Sequence, residues 1–303
     1  MDKTKVVVTG GAGFIGSNLV DGLLEKGYEV HVIDNLVAGH RENVDPRTIF
    51  HEKDIRNLSD MHAVMEGAKY VFHLAAVPRV QYSIEHPIET NDVNVGGTLN
   101  ILKAAKDAGV SKVVFSASSS AYGDQDSMPL REDMPANPKS PYGLHKHIGE
   151  LYCRLFSEIY ELPTVSLRYF NVYGPRLDPA GAYALVIGLF LRLRSEGKPL
   201  TITGDGTQTR DMTHVRDVVR ANILAAERDM VGKGEVINIG SGKNHTINEL
   251  AELIGGPVEH IAPRLEPHDT LADNSLAKEL LGWEPTVPFE EGIAELKQIF
   301  DIK

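Results

Sequence analysis

The stretch Thr9-Gly10-Gly11-Ala12-Gly13-Phe14-Ile15-Gly16-Ser17 follows the apolar run Val6–Val8 and opens a helical pattern of apolar residues. Glycine recurs at positions 10, 13 and 16, the spacing of a strand–turn–helix unit with a tight turn. Further β-branched runs alternate with helical patterns, which predicts a parallel, doubly wound sheet. The predicted strands are Val6–Thr9, Glu29–Ile33, Thr48–Phe50, Tyr70–Leu74 and Lys112–Phe115, with Thr164–Arg168 and Val236–Ile239 as late strands of the same sheet.

The second half of the chain has a different composition. From about Asn171 onward it is richer in glycine and proline turns, such as Asp178–Gly181 and Gly204–Gly206. We therefore expect an α/β fold in which a Rossmann-type doubly wound parallel sheet adjoins a smaller C-terminal α/β domain that binds the substrate. The expected units are residues 1–169 and 170–303, with a late strand near residues 235–240 returning to the sheet.

Composition excludes several classes of protein. The chain has 303 residues, 42% hydrophobic and 24% charged, enough for one large or two modest globular units. A formal net charge of −11 makes nucleic acid and anionic membranes unfavourable partners. Cys153 is the only cysteine, so no intramolecular disulfide forms, and the twelve histidines lack a metal-binding spacing. No run approaches the roughly 20 apolar residues that span a bilayer, and no signal peptide is evident, so we expect a reducing cytoplasm.

The glycine turn indicates a dinucleotide site. Gly10 permits the tight turn, Gly13 allows close approach of the backbone to a pyrophosphate, and Gly16 allows close contact between helix and sheet. The helix N-terminus then offers free N–H groups to the diphosphate. Asp34 ends the next predicted strand, about 20 residues beyond the glycines. A carboxylate there accepts hydrogen bonds from ribose hydroxyls and repels a 2′-phosphate, which favours NAD over NADP.

Tyr142 and Lys146 stand four residues apart, one helical turn, so that the phenol and the ammonium share a helix face. Ser140 is a favourable N-cap and Pro141 a favourable first helical residue, which predicts that a helix begins here. A nearby positive charge favours an ionised phenol, and we expect the pKa of Tyr142 to lie below its ordinary value of about 10. A tyrosine of this kind serves as a general base near neutral pH.

Several further motifs accompany the glycine turn and the tyrosine–lysine pair: Asp34-Asn35-Leu36, Asp54-Ile55-Arg56, His73-Leu74-Ala75-Ala76, Ser116 to Gly123, Arg168 to Pro175, Gly204 to Asp211 and Leu281 to Pro285. In this order and spacing they resemble the extended short-chain dehydrogenase/reductase family nearly end to end. The closest similarity is to its nucleotide-sugar 4-epimerases.

The resemblance implies a role for each matching residue. Tyr142 would be the base, Lys146 would bind the nicotinamide ribose and lower the phenol pKa, and Ser118 would hydrogen-bond the reacting hydroxyl. The serines at 116, 118 and 120 alternate along a strand end, so all three can face the same way. The implied cofactor contacts are Gly10, Gly13, Phe14, Ile15, Gly16, Asp34, Asn35, Asp54, Ile55, Leu74, Ala75, Ala76, Ser116, Tyr142, Lys146 and Tyr169. The implied substrate contacts are Ser83, Ser118, Ser120, Tyr142, Asn171, Ala184, Val186, Arg210, Arg264 and Thr270.

Relatives in this family catalyse 4-epimerisation, 4,6-dehydration and decarboxylation, all of which begin by oxidising a sugar at C4. The dehydratases that resemble this chain carry an Asp-Glu pair directly after the catalytic hydroxyl residue, because eliminating water needs an acid and a base. Here those positions are Ser119 and Ser120. We therefore expect an NAD-dependent UDP-hexose 4-epimerase acting through a 4-keto sugar. The alternatives are a nucleotide-sugar 4,6-dehydratase and, in a different class, a non-catalytic NAD-sensing protein.

The substrate's diphosphate requires cations in a chain that is acidic overall. Arg210 matches the diphosphate-binding arginine of the family, and its forked guanidinium suits phosphate oxygens. The segment 263–273 departs from the family pattern, so whether Arg264 or His268 reaches the phosphate stays open. Thr270 aligns with a pocket-wall position where a large tyrosine excludes an N-acetyl group in sugar epimerases. Because threonine is small, we expect acceptance of UDP-N-acetylglucosamine and its 4-epimer, alongside UDP-glucose and UDP-galactose.

Two predicted helices bear on assembly. The helices near Val95–Ala108 and Tyr142–Tyr160 resemble those that pair two protomers of this family into a four-helix bundle. Leu151, Leu155 and Ile159 add more apolar surface than one sheet face needs. We therefore expect a homodimer, the alternative being that these residues lie in the core of one chain.

Overall fold

The computed structural model describes residues 3–179, 186–262 and 269–302. The strands of these residues are β1 Lys5–Thr9, β2 Glu29–Asp34, β3 Ile49–Glu52, β4 Tyr70–His73, β5 Lys112–Ser118, β6 Thr164–Tyr169, β7 Val172–Tyr173, β8 Leu200–Thr203, β9 Thr209–Asp211, β10 Thr213–His214, β11 Lys233–Ile239, β12 Asn244–Thr246 and β13 Val258–Ile261. Seven of them form one parallel sheet in the order β3–β2–β1–β4–β5–β6–β11, and the others pair two by two. All seven predicted runs lie in this sheet, which confirms the doubly wound α/β fold.

Helices connect the strands and cover both faces of the sheet. In the described part of the chain the α-helices are α1 Phe14–Glu25, α2 Leu58–Met65, α3 Val80–Glu85, α4 Pro87–Asn91, α5 Gly97–Asp107, α6 Pro141–Tyr160, α7 Val186–Ser195, α8 Val215–Glu227, α9 Ile247–Ile254, α10 Ser275–Leu281 and α11 Phe289–Ile299. Between α4 and α5 the tract Asp92–Gly96 is a π-helical turn.

The strand register brings the carboxyl ends of the parallel strands to a common edge. Thr9 at the end of β1 pairs with Ile33 on one side and His73 on the other. Further along the same edge, Ser118 pairs with Tyr169. The strand order reverses between β1 and β4, and ligands of doubly wound sheets bind in the crevice at such a reversal. The fold therefore places the glycine turn and the predicted catalytic strand end beside the same crevice.

Alternate residues of β1 enter opposite layers, as the two-residue period of a strand requires. Val6 and Val8 pack in one cluster with α1, α8 and the buried Trp283, while Val7 packs in the other with α2, α5 and α6. The Trp283 indole donates a hydrogen bond to the Asp217 carbonyl oxygen of α8 at 2.9 Å. The second half of the chain therefore contributes β11 to the seven-stranded sheet, and α8 and α10 to the helices that pack on it.

A separate, smaller core lies among the C-terminal elements. Phe190 and Leu191 of α7 pack there with Leu250 of α9 and Leu296 of α11. Among the helices of residues 3–179, 186–262 and 269–302, none combines the length and apolarity that crossing a membrane requires.

Candidate functional site

The glycine turn lies between β1 and α1, beside the segment that follows β4. Gly10 has φ +73°, and a Cβ there would lie 2.7 Å from the Ala75 amide nitrogen. A Cβ at Gly16 would overlap the Gly10 carbonyl oxygen. A Cβ at Gly13 would meet only that same oxygen, at 3.3 Å, within the described chain. Glycine is therefore required at 10 and 16 for the turn to close, and at Gly13 no other described atom outside its chain neighbours stands within 4 Å of the Cβ position, which leaves that side of the turn open.

Asp34 ends β2 opposite the glycine turn, as predicted. Its carboxylate accepts hydrogen bonds from the Ala12 N–H at 3.0 Å and the Leu36 N–H at 2.9 Å, one on each oxygen. The two bonds tie the strand end to the turn and fix the direction of the carboxylate. Each oxygen has a second lone pair with which to accept a hydroxyl.

Asp54, the residue implied to hold an adenine, is closely bound by its neighbours. Its side chain accepts two bonds from the Arg56 guanidinium, at 3.0 and 2.7 Å, and one from the Asn35 amide at 3.1 Å. The bond from Arg56, together with backbone and Asn35 hydrogen bonds, lowers the pKa of Asp54 to about 2. Ile55 is buried, and a Cβ at Gly97 would overlap its side chain, so α5 approaches closely here.

A buried histidine supports the wall of the crevice. The Ala75 N–H donates to the Thr9 hydroxyl at 3.1 Å, and Thr9 Oγ1 lies 2.7 Å from His73 Nδ1. His73 Nε2 lies 3.0 Å from the Thr98 hydroxyl, which donates to the Asn94 carbonyl oxygen at 2.6 Å. Because Thr98 donates its hydroxyl proton to the Asn94 carbonyl oxygen, it can only accept a hydrogen bond from His73. Nε2 of His73 therefore carries the imidazole proton. Burial lowers the pKa of His73 to about 3, so the ring is neutral and holds Ala75 in place.

Sequence reasoning quoted His73 only as part of a motif and did not identify Asn94. The Asn94 side chain accepts from the Val77 N–H at 2.7 Å and donates to the Val77 carbonyl at 3.1 Å. This pair of bonds anchors the segment after Ala76 to the π-helical turn. The available signal was a polar residue among apolar helical positions, which alone does not identify a partner.

The helix that carries the tyrosine–lysine pair begins where it was predicted. Ser140 is the N-cap of α6, its hydroxyl accepts the Gly143 N–H at 3.1 Å, and Pro141 is the first helical residue. Tyr142 and Lys146 lie on one face, with Lys146 Nζ 5.9 Å from the Tyr142 ring centroid. That ammonium donates to the Ser116 carbonyl oxygen at 2.6 Å.

The three serines are not arranged as predicted. β5 ends at Ser118, and Ser119–Ala121 forms a 3₁₀ turn. Ser120 is therefore off the strand, and the prediction of three alternating strand residues is wrong. The turn folds back because Ser118 Oγ accepts the Ser120 N–H at 3.2 Å, and the Ser118 hydroxyl donates to Ser120 Oγ at 3.1 Å. The two hydroxyls form a pair at the strand end, while Ser116 contributes its carbonyl oxygen to Lys146.

The predicted lowering of the phenol pKa is also wrong in this structure. Burial raises the pKa of Tyr142 above its usual value, and a hydrogen bond with the Ser118 side chain lowers it only in part. Lys146 is itself desolvated, and burial lowers its pKa to about 8 against the attraction of Glu150. The expectation treated the lysine charge as dominant, whereas burial is the larger effect on both groups.

A buried ion pair holds the next turn of α6. Arg168 of β6 donates to both Glu150 oxygens at 2.7 Å, and both side chains are nearly inaccessible to solvent. The Arg168 guanidinium also lies 4.4 Å from the Tyr122 ring centroid. Glu150 is one turn beyond Lys146, so α6 is attached to β5 by Lys146 and to β6 by Glu150.

Asp211 organises the residues implied to contact the substrate. The Asn171 amide donates to the Asp211 carbonyl at 2.9 Å and to the Thr270 hydroxyl at 3.3 Å. The Asp211 N–H donates to the same hydroxyl at 3.1 Å. The Asp211 carboxylate in turn accepts hydrogen bonds from the Ser241, Gly242 and Ala272 backbones. Asn171 and Thr270 therefore lie together, and Arg210 is the residue before Asp211 on β9, although sequence reasoning named Asp211 only as part of a motif.

The remaining predicted residues are distributed as follows. Tyr169 ends β6, and its hydroxyl donates to Asn222 Oδ1 at 2.9 Å. Arg210 donates to the Thr209 carbonyl oxygen at 2.9 Å. Phe14 and Ile15 open α1, Leu74 and Ala76 flank Ala75, Val186 opens α7 and Ser83 lies in α3. Ala184, Arg264 and His268 lie outside the described residues. No cluster of three or more histidine, cysteine or acidic side chains with metal-binding geometry occurs in the described ranges.

Replacing Lys146 by methionine tests the cost of burying its charge. An ordinary lysine pKa of about 10.4 lowered to about 8 opposes folding by about 3 kcal/mol at pH 7. Above pH 8 the folded lysine loses its proton before the unfolded one, so this penalty shrinks as the pH rises. The lost hydrogen bond to Ser116 offsets about 1 kcal/mol. We expect Lys146→Met to be more stable than the parent at pH 7 by about 2 kcal/mol, with a smaller difference at pH 10. Urea unfolding at both pH values measures this, and a less stable variant at pH 7 would contradict it.

Comparisons with known proteins identify the family of the chain. A family model described as the NAD dependent epimerase/dehydratase family matches residues 6–240. The chain is 39% identical over 311 residues to the UDP-glucose 4-epimerase of Mycolicibacterium smegmatis, covering 98% of each. Its fold matches the Thermotoga maritima UDP-glucose 4-epimerase solved with UDP-glucose, with TM-score 0.93, 40% identity and coverage of 98% and 99%. It also matches the UDP-N-acetylglucosamine 4-epimerase of Methanobrevibacter ruminantium solved with UDP-N-acetylmuramic acid, with TM-score 0.94, 38% identity and 99% coverage of each. This chain belongs to the NAD dependent epimerase/dehydratase family, and its cofactor is NAD.

Proposed function

We propose that this chain is a UDP-hexose 4-epimerase that interconverts the two C4 configurations of a UDP-sugar. The observation that carries the proposal is the arrangement at the end of β5, where the Tyr142 phenol and the paired Ser118 and Ser120 hydroxyls meet. The two residues after Ser118 are serines, so the Asp-Glu pair expected of a dehydratase is absent from those positions. This arrangement can move a proton on and off a sugar hydroxyl and offers no acid–base pair there for removing water.

The residues around the crevice suit NAD. The open side of the turn at Gly13 and the N-terminus of α1 would receive the diphosphate, and Asp34 would accept the adenosine ribose hydroxyls. Ala75, held through Thr9 and His73, would line the cofactor. When bound, NAD accepts a hydride from the sugar and returns it.

The proton is handled by Tyr142 with Lys146 and Ser118. Burial favours the neutral phenol, and the hydrogen bond with the Ser118 side chain favours the phenolate. We propose that Lys146, which keeps its positive charge at neutral pH because its pKa is about 8, favours the phenolate as well. The phenolate oxygen takes the proton from the sugar C4 hydroxyl, which Ser118 orients, and returns it after the sugar has presented its other face. Because the proton and the hydride both return, the reaction has no net redox change.

Arg210 is our proposed ligand of the substrate diphosphate. The net charge of −11 gives the chain an overall field that repels an anionic substrate, so binding requires a local cation. Arg210 lies next to the Asp211 cluster that holds Asn171 and Thr270, and its guanidinium can form a two-pronged bond to phosphate. Arg264 and His268 stay the two predicted candidates for a second cation.

We further propose that the pocket accepts N-acetylated as well as unmodified UDP-hexoses. The support is the size and position of Thr270, whose hydroxyl is bound to Asn171 and to the Asp211 N–H. A small side chain fixed at that wall leaves more room than a tyrosine would. The names of the two similar solved structures, one for each sugar class, agree with a scaffold that serves both.

Product analysis tests the proposed reaction. We expect the purified protein, without added cofactor, to interconvert UDP-glucose with UDP-galactose and UDP-N-acetylglucosamine with its 4-epimer, as read by NMR. The Tyr142→Phe variant should retain bound NAD and lose about 10²–10⁴-fold in turnover, because it lacks the phenolic proton acceptor. A 4-keto-6-deoxy product would indicate a dehydratase instead. Unchanged turnover in Tyr142→Phe would refute the assigned base.

Thr270 provides a test of sugar range. We expect Thr270→Tyr to lose turnover of the acetylated pair while retaining turnover of UDP-glucose and UDP-galactose, because the larger ring occupies the space of an acetamido group. Thr270→Ser is the matched control, since it keeps the hydroxyl that binds Asn171 and should retain both activities. Steady-state kinetics with each sugar measures the effect, and equal losses for both pairs would show that this position does not discriminate.

We propose that the chain forms a homodimer through α5 and α6. Leu151, Leu155 and Ile159 follow one another at helical spacing, and each is between 41% and 61% exposed. Leu99, on the adjacent helix α5, is 37% exposed. These side chains are therefore not part of the core of a single chain. A second copy of the chain packed against them would remove them from water.

Substitution of the exposed stripe tests assembly. We expect Leu155→Glu to convert a dimer into a monomer, because the interface would have to desolvate a carboxylate. Ile299→Glu is the control, since Ile299 is 53% exposed and lies on α11, which packs in the C-terminal core. Sedimentation velocity distinguishes the two, and a Leu155→Glu protein of the parent's size would exclude this stripe from any interface.

A further inference from the structure

Ser83 was implied to be a substrate ligand, and its contacts indicate a different task. It lies in α3 and is fully buried. Its hydroxyl donates to the Val80 carbonyl oxygen at 2.6 Å and accepts the Tyr142 N–H at 3.0 Å. The second bond joins two elements that are 59 residues apart in the sequence.

The valence of a hydroxyl limits what else Ser83 can bind. A serine hydroxyl has one proton to donate and two lone pairs with which to accept. The proton is directed to Val80, so Ser83 can give none to a phosphate or a sugar oxygen while that bond persists. One lone pair holds Tyr142, which leaves a single acceptor position in a residue that solvent does not reach.

The bond from the Tyr142 N–H to Ser83 lies in the first turn of α6, which carries the proposed base. Pro141, the first helical residue, has no N–H, and Ser140 caps the Gly143 N–H. Ser83 takes the N–H between them, that of Tyr142 itself. On another side of the same turn, a Cβ at Gly143 would lie 2.6 Å from the Ser120 carbonyl oxygen. The first turn of α6 is therefore enclosed between α3 and the 3₁₀ turn of the paired serines.

We propose that Ser83 is a positioning residue that fixes the Tyr142 phenol by holding its backbone amide, and that it is not a substrate ligand. The proposal rests on the proposed function of Tyr142. The phenol must stay within hydrogen-bonding reach of Ser118 and of the sugar hydroxyl, and small displacements of a reacting group lower turnover steeply. A backbone bond at Tyr142 limits displacement at its source.

Two serine substitutions in the same turn separate positioning from capping. Ser83→Ala and Ser140→Ala each remove one serine bond to a backbone N–H of α6, at Tyr142 and at Gly143 respectively. We expect Ser83→Ala to lower kcat on the order of 10-fold or more with KM unchanged, because the substrate contacts remain while the base shifts. Ser140→Ala should keep kcat within about threefold of the parent, since its bond does not hold Tyr142.

The outcomes decide the proposal. A raised KM with unchanged kcat in Ser83→Ala would make Ser83 a substrate ligand, and equal losses in the two variants would reduce it to an ordinary helix cap. Should Ser83→Ala fail to fold, Ser83→Cys, which is close in volume and a weaker hydrogen-bonding group, is measured by the same criteria. Both of the unexpected patterns overturn the proposal.

Amide hydrogen exchange tests the bond without reference to turnover. We expect Ser83→Ala to accelerate exchange at the Tyr142 amide and Ser140→Ala to accelerate it at Gly143. If the parent protein turns over no UDP-hexose, the proposed function fails. The bond between Ser83 and the Tyr142 amide is then tested by hydrogen exchange alone. An unchanged rate at Tyr142 in Ser83→Ala would overturn it.

Discussion

The site depends on burying one ammonium group, that of Lys146, beneath the end of β5. The group donates to the Ser116 carbonyl oxygen and lies 5.0 Å from the Phe115 ring centroid. These contacts offset only part of the cost of leaving water, and burial lowers the Lys146 pKa to about 8. Under the proposed function this charge lies one helical turn from the Tyr142 phenol, and a poorly solvated charge acts more strongly on a neighbouring group than one in water.

Helix α6 carries a second buried charge, that of Glu150, in addition to Lys146. Glu150 and Arg168 form a two-pronged pair one turn further along. Breaking such a buried pair by removing one partner typically costs about 3–5 kcal/mol, since the other charge is left unpaired. The pair is weak evidence for overall stability, but it determines where α6 meets β6. The helix is thus located by ionic contacts near its middle and by serine hydroxyls at its beginning.

Much of the fold could be predicted because its signals are local. The glycine spacing at 10, 13 and 16, the β-branched runs and the Ser140-Pro141 start each depend on a few neighbouring residues. The structure confirms all three. The 3₁₀ turn at Ser119–Ala121 could not be predicted in the same way, since three serines in succession have no strong preference for strand or turn. Its direction is determined by the Ser118 hydroxyl accepting the Ser120 N–H.

The electrostatics and the substrate side of the site were the least predictable. The sign of the Tyr142 pKa shift depends on how much of the phenol is buried, which spacing along a helix does not reveal. Asp211 joins Ser241, Gly242 and Ala272, residues 30 to 61 positions away. Such long-range contacts appear only when the loops are assembled. The sequence therefore predicted candidate reacting groups but not the side chains that hold them in place.

The proton arrangement around His73 has a consequence for how the crevice responds to acid. With a pKa of about 3, this imidazole does not act as a buffer anywhere in the neutral or mildly acidic range. The relay from Ala75 through Thr9, His73 and Thr98 to Asn94 accordingly keeps a single tautomer over several decades of proton concentration. In the mildly acidic range Lys146, with a pKa of about 8, stays protonated while His73 stays neutral, so acid changes neither the charge one turn from Tyr142 nor the support of Ala75.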